Sequence, residues 1–279
     1  MKKGISIWSF AEGDLRRCFE LAKDAGFDGV EVALDETGEI SLASTKEDIL
    51  RVKKMAEEIG IELYSVACGI YWNYNYTSGK AENREKAKAI TKKQLEIASL
   101  LGCDTILVVP GAVDVVFDPA SEVVDYDVAY ERVLEALKEL APIAEEYKVS
   151  IAIENVWNKF LLSPLEMRDL IDKVGSPYVG SYFDVGNVLY CGYPEQWIKI
   201  LGQRIRKVHF KDYRRNVGSL DGFVDLLAGD VDYIAVKKAL DAIGYDGWVS
   251  AEMIPPYKQY SDTIIYNTSN AMDKIIGRK

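Results

Sequence analysis

The chain has 279 residues, 48% of them apolar and 28% charged, with 34 Lys and Arg against 44 Asp and Glu for a net charge of -10. That is the make-up of an ordinary globular protein with a large core, and its acidity argues against nucleic acid or anionic membrane as a main partner. No stretch is apolar for long enough to cross a bilayer, the start lacks a signal-peptide pattern, and the four cysteines form no C-x-x-C pair, so a cytoplasmic protein with free thiols is expected.

The first apolar run, Gly4–Trp8, reads as a strand. Asp14–Ala25 then sets Leu15, Cys18, Phe19, Leu21 and Ala22 on one helical face, and Gly26 offers a left-handed stop before the strand Gly29–Ala33. Thr45–Ile59 opens on a threonine suited to cap a helix and repeats the apolar period through Ile49, Val52, Met55, Ala56 and Ile59. It stops at Gly60, ahead of the strand Glu62–Ala67. The alternation continues with a helix over Lys86–Leu101 that stops at Gly102, a strand over Thr105–Val109 and a helix over Tyr126–Tyr147. Strand Ser150–Glu154, helix Pro164–Val174, strand Val179–Asp184 and helix Glu195–Leu201 follow. Strand Lys207–Phe210, helix Val231–Ile243 and strand Trp248–Glu252 complete the series, and the segment from Pro255 to Lys279 is expected to add a loop and a helix. Eight strands alternating with helices over about 250 residues predict a (β/α)₈ barrel, a single α/β domain over 1–279. A doubly wound sheet fits less well, because the segment from Trp8 to Gly13 is not its Gly-rich turn.

A barrel brings all its strand ends to one face. Glu154, Asp184, His209 (the one histidine) and Glu252 close the last four apolar runs, so residues 25 to 43 positions apart would converge. Taken singly, each also reads as a capping or structural hydrogen-bonding residue. As a set, three carboxylates and one imidazole are costly to bury unless paired, and they suit a hard or borderline divalent ion such as Mn²⁺, Mg²⁺, Co²⁺ or Zn²⁺. The absence of thiolates among them argues against a closed structural zinc site.

Ile-Glu-Asn at 153–155, Phe-Asp-Val-Gly-Asn at 183–187, His-Phe-Lys-Asp at 209–212 and Ala-Glu-Met at 251–253 resemble the xylose-isomerase-like TIM-barrel superfamily of sugar and sugar-phosphate isomerases and epimerases. Gly-Asp-Val-Asp-Tyr at 229–233 adds to the likeness, which runs from the first strand to the last. The ketose 3-epimerases of tagatose/psicose type and the L-ribulose-5-phosphate or hexulose-6-phosphate 3-epimerases are nearest in pattern. The resemblance implies metal ligands at Glu154, Asp184, His209 and Glu252, with Mn²⁺ first among the ions, and Glu154 and Glu252 as the acid/base pair. In such chemistry one glutamate removes the C3 proton of a ketose and the other returns a proton to the opposite face, through a metal-stabilised cis-enediolate. Arg215 matches the substrate-binding arginine of the ketose 3-epimerases. Asn187 stands where they carry a histidine, and can hydrogen-bond a hydroxyl without titrating; Phe160 stands where they carry a glutamate.

Lys211, Arg214 and Arg215 cluster after the seventh strand, where many barrels bind phosphate, and are expected either to hold a sugar phosphate or to form a solvated patch. Trp8, Phe10, Tyr71, Trp72 and Trp157 are candidates for an apolar wall against a sugar, with loop packing as the alternative. Cys68 is expected to line the pocket, and residues 73–79 to form a lid. The partner implied is a small sugar or sugar phosphate, and a homo-oligomer is compatible with the family. An aldose–ketose isomerase or an inosose-type dehydratase would use the same equipment. An apurinic endonuclease is disfavoured by the single histidine and the acidic charge, and a non-catalytic sugar-binding protein is the non-enzyme alternative.

Overall fold

Eight parallel strands close into a barrel, each pairing with its neighbours in chain order and the last with the first. This computed structural model describes residues 1–11 and 14–278; Glu12 and Gly13, part of the turn considered above, lie outside the described residues. The strands are β1 (Lys2–Ser6), β2 (Gly29–Leu34), β3 (Glu62–Cys68), β4 (Thr105–Val108), β5 (Ser150–Glu154), β6 (Val179–Asp184), β7 (Ile205–Phe210) and β10 (Trp248–Ala251). Between β7 and β10 a short antiparallel ribbon, β8 (Asp212–Tyr213) with β9 (Phe223–Val224), stands apart from the barrel. The helices are α1 (Leu15–Asp24), α2 (Lys46–Ile59), α3 (Ala81–Leu101), α4 (Tyr126–Tyr147), α5 (Pro164–Val174), α6 (Pro194–Leu201), α7 (Tyr233–Ala242) and α8 (Asp262–Ile276). Among the described residues no helix is long and apolar enough to cross a membrane.

Local chemistry sets the helix limits. Thr45 and Asp48 form a reciprocal capping box at the start of α2, each side chain accepting the other's backbone N–H. Gly60 and Gly102 close α2 and α3 at φ 76° and 86°, conformations that glycine adopts without strain. Several boundaries differ from expectation, and two of the differences have a clear cause. The first strand covers Lys2–Ser6, and Ile7–Ser9 forms a turn of 3-10 helix that lifts Trp8 above the strand. Ser9 ties this turn to the end of β10, its Oγ accepting from Met253 N at 2.9 Å. Helix α3 begins at Ala81, five residues before the apolar period does, because its first turn is charged and shows no periodicity. Residues 73–79 do not form a lid: Tyr76, Thr77 and Ser78 are buried, and Thr77 Oγ1 both donates to Ala112 O and accepts from Ala112 N.

The barrel interior is filled rather than hollow. Low in it, Tyr64 stacks on Trp248 at 3.9 Å between centroids and donates to Ser250 Oγ at 2.6 Å. Its phenol occupies the space that a side chain at Gly4 would need. Higher up lies a buried polar group of Glu31 from β2, Tyr182 from β6 and His209 from β7.

Candidate active site

Glu154 ends β5, Asp184 ends β6, His209 is the penultimate residue of β7, and Glu252 is the first residue past β10. Strand register places His209 directly beside Asp184 on one side and Ser250 on the other. Each of the four offers one ligand atom, and these atoms all lie within 4.8 Å of one another. His209 Nδ1 stands 3.3 Å from Glu154 Oε1, 3.8 Å from Asp184 Oδ2 and 3.9 Å from Glu252 Oε2. All four side chains are buried, yet Nδ1, Glu154 Oε1 and Asp184 Oδ2 have no hydrogen-bond partner. Converging buried lone pairs without donors are costly, and a cation among them removes the cost. Three carboxylate oxygens and one imidazole nitrogen are the donor set of a hard or borderline divalent ion, so the residues present fit such an ion.

A supporting layer fixes these groups. Glu31 Oε1 meets His209 Nε2 at 2.9 Å, and Tyr182 donates its hydroxyl to Glu31 Oε2. A carboxylate on Nε2 leaves Nδ1 as the nitrogen turned toward the carboxylates. Asn155 clamps Asp184, its Oδ1 accepting from Asp184 N at 2.9 Å and its Nδ2 donating to Asp184 O at 2.8 Å. Asn187 closes the clamp, donating from its backbone N to Asp184 Oδ1 and from its side chain to Asn155 O. Gly186 lets this turn lie against Lys211, where any side chain would collide. Glu31 and Tyr182 are absent from the sequence reading. The signal for Glu31 was a lone carboxylate inside the apolar run Gly29-Val30-Glu31-Val32-Ala33.

Lys211 is the cation in contact with this cluster. Its ammonium pairs with Glu252 Oε2 and stands 3.5 Å from Asp184 Oδ2. Burial pushes the Glu154 carboxyl up to about 7, and raises Asp184 as well. Burial acts in the same direction on Glu252, but the charges of Lys211 and His209 outweigh it and hold that carboxyl below the ordinary range. For His209, burial opposes the charged form, while Glu31, Glu252 and Glu154 together raise it well above the usual imidazole value.

Above the cluster opens a cavity of about 420 Å³. Glu154, Glu252, Lys211 and Asn187 are its polar lining, and the walls are formed by Trp8, Trp72, Phe117, Trp157, Phe223 and Ile254, among other apolar residues. Phe117 packs edge-on to Trp72 at 4.9 Å, and Phe223 meets Trp157 at 5.7 Å. The first pair joins the loops that follow β3 and β4, and the second joins the loop after β5 to the β8–β9 ribbon.

A family model described as xylose isomerase-like TIM barrel matches residues 19–266. The chain belongs to this family. A putative L-ribulose-5-phosphate 3-epimerase of Escherichia coli (strain K12) is 28% identical over 248 residues, covering 84% of this chain and 81% of that protein. An uncharacterized protein of Methanocaldococcus jannaschii is 25% identical over 259 residues, covering 90% and 83%. Among solved structures, an IOLI protein with a bound zinc atom superposes at a TM-score of 0.82 with 20% identity, covering all of this chain and 99% of that one. A D-psicose 3-epimerase with D-tagatose, from Clostridium cellulolyticum H10, superposes at 0.79 with 21% identity and 98% coverage of each chain. At such identities these two structures establish the shared fold.

Within this xylose isomerase-like TIM barrel, Trp8, Trp157, Asn187 and Lys211 take the cavity positions expected from the sequence, and Trp72 joins them. Two predicted substrate contacts do not. Cys68 is fully buried in the apolar core, burial pushes its thiol up to about 12, and Gly69 lines the cavity in its place. Arg215 is exposed outside the cavity, with its guanidinium 4.8 Å from the Tyr193 ring centre and its backbone N–H bonded to Asp230. Tyr71 is also a packing residue, its hydroxyl bonded to Thr91 and Gln94, and Phe10 lies outside the cavity. Phe160 is buried against Tyr126.

Proposed function

We propose that this protein is a divalent-metal-dependent sugar epimerase that inverts the carbon beside the carbonyl of a ketose, C3, by proton transfer between Glu154 and Glu252. The observation that carries this reading is the set of buried atoms without a hydrogen bond, His209 Nδ1, Glu154 Oε1 and Asp184 Oδ2, facing one another under the cavity. Glu154, Asp184, His209 and Glu252 would hold the ion, with Mn²⁺ favoured and Mg²⁺, Co²⁺ or Zn²⁺ chemically suited. When bound, such an ion supplies Lewis acidity toward the carbonyl oxygen of the substrate. The solved neighbour with zinc and the relatives named as 3-epimerases support an isomerase-class enzyme of this kind.

The rest falls to the chain's own residues. Glu154 and Glu252 rise from β5 and β10, with β6 and β7 between them in the ring, so their carboxylates reach the substrate position from different sides. One removes the proton, the carbon flattens, and the other returns a proton on the opposite face. Asn155 and Asn187 hold Asp184 in place, and Glu31 does the same for His209. The aromatic walls keep water from the flattened intermediate. An acidic chain with an apolar cavity suits a small metabolite better than nucleic acid.

Incubation with Mn²⁺ and a panel of ketoses and ketose phosphates in D₂O tests the reaction. Deuterium at C3 supports epimerisation, deuterium at C1 or C2 assigns isomerisation instead, and no label in any sugar removes the proposal. Metal content of Asp184→Asn and His209→Ala tests the ligands separately: full occupancy in either variant sinks the assignment.

A further inference from the structure

We infer that the substrate of this site is an uncharged keto sugar whose far end is deoxygenated or bears an apolar substituent, and that phosphate esters are excluded. The inference builds on the epimerase reading for the reacting end and concerns everything beyond it.

The first ground is the state of the cations. Among the described residues Lys211 alone supplies a positive side chain to the cavity lining, and it is already held by Glu252 and Asp184. The basic residues nearby are engaged elsewhere. Lys159 pairs with Asp114 at 2.6 Å, Arg214 Nε donates to Ala228 O at 3.3 Å, and Arg215 lies over Tyr193. A phosphate ester would bring up to about two negative charges to a cavity whose one lining ammonium, Lys211, is already paired. Without a guanidinium or ammonium to meet it, that group loses its water and gains no partner.

The second ground is the wall. Phe117, Phe223 and Ile254 have only carbon in their side chains to face the cavity, and the indole N–H of Trp157 is engaged by Asn187 O at 3.1 Å. Polar side chains are confined to the end that holds the carboxylates, Lys211 and Asn187. Hydroxyls near that end find partners, whereas hydroxyls turned toward the walls would be stripped of water without replacement. An apolar far end instead gains from burial against the aromatic rings. A cavity of about 420 Å³ has room for a sugar and a small substituent.

Calorimetric titration of the full-length, Mn²⁺-saturated protein decides the matter, using matched pairs: ribulose with ribulose 5-phosphate, and psicose with 6-deoxypsicose and psicose 6-phosphate. Each uncharged sugar is expected to bind at least about tenfold more tightly than its ester, and the deoxy sugar more tightly than its parent. Equal or tighter binding of the esters overturns the inference. So does displacement of a bound sugar by millimolar inorganic phosphate, or failure of every uncharged sugar to bind. Selective binding of uncharged sugars with no deuterium exchange in any of them would leave this inference standing and remove the epimerase reading alone.

Discussion

Both ring nitrogens of His209 are assigned by the geometry. Nε2 is fixed by Glu31, and Nδ1 faces the carboxylates of Glu154, Asp184 and Glu252. Glu31→Gln removes the carboxylate that orients the ring, and the affinity for Mn²⁺ should fall roughly 10- to 100-fold. Tyr182→Phe, which frees one oxygen of Glu31, should cost less. Calorimetry reads the affinity. Because the chain has a single histidine, the ¹⁵N spectrum of the Zn²⁺-loaded protein reads the ring itself, with the proton expected on Nε2; without the ion, the surrounding carboxylates favour a proton on both nitrogens. Unchanged affinity in Glu31→Gln would show that the ring is held by packing alone. The four clustered residues, Glu154, Asp184, His209 and Glu252, were legible in the sequence because a charge or imidazole at the end of an apolar run is costly. The pairing of Glu31 with His209 was not, since 178 positions separate them and only closure of the ring brings β2 and β7 into reach across its interior. Cys68 and Arg215 failed for a related reason: position near a strand end does not say which way a side chain points.

The loop after β7 shows how one element sustains the cavity. Asp212, the last residue of the His-Phe-Lys-Asp motif, is no metal ligand. Its carboxylate accepts backbone N–H groups from Tyr213, Leu227, Gly229 and Val231. Gly229 belongs to the motif at 229–233, and a side chain there would strike the Asp212 carboxylate. That motif therefore wraps Asp212 and then caps α7, with Asp232 accepting from Ala235 N at 2.9 Å. Asp212→Ala strips acceptors from several partly buried donors at once and should cost about 1–3 kcal/mol in denaturant unfolding. It should also loosen Phe223 and weaken sugar binding, which hydrogen exchange and calorimetry can follow. At the far side of the barrel, Thr45→Ala should cost about 1 kcal/mol through loss of the capping box on α2, with sugar binding unaffected. Helix ends marked by glycine or a capping residue were readable from the sequence. The start of α3 was not, because tertiary packing rather than periodicity makes its charged first turn helical.

At the scale of the whole molecule, one ion would join four of the eight staves. Saturating Mn²⁺ should then raise stability by about 2.7 kcal/mol at 100 times its Kd, and a chelator should remove the gain; a thermal midpoint indifferent to both would count against the site. The opposite end is held by a different clasp. Asp28 accepts from Lys3 N at 2.6 Å and from both terminal nitrogens of Arg278, joining the first strand to the tail beyond α8. Burial alone would raise the Asp28 carboxyl, but the Arg278 and Lys3 contacts prevail and hold it below its ordinary value of 3.8. A carboxyl lowered on folding stabilises the native state fully above its unfolded value, and that contribution is lost as pH falls through the folded one. Stability should therefore decline on acidification below about pH 4, and Arg278→Ala should flatten that part of the profile while leaving it unchanged near neutrality in shape. Urea midpoints across pH check this. The barrel itself was legible because eight apolar runs alternate with helices, a pattern that few architectures satisfy.

The place of Glu252 has a consequence for how the protein is made. It follows the last strand, and β10 is the stave that seals the ring by pairing with both β7 and β1. If the four residues hold an ion, a chain still emerging from the ribosome offers three of them on an open sheet until Glu252 has been added. Full-strength capture of an ion would then await the sealed ring, and a chain truncated before Glu252 should bind Mn²⁺ far more weakly than the full chain.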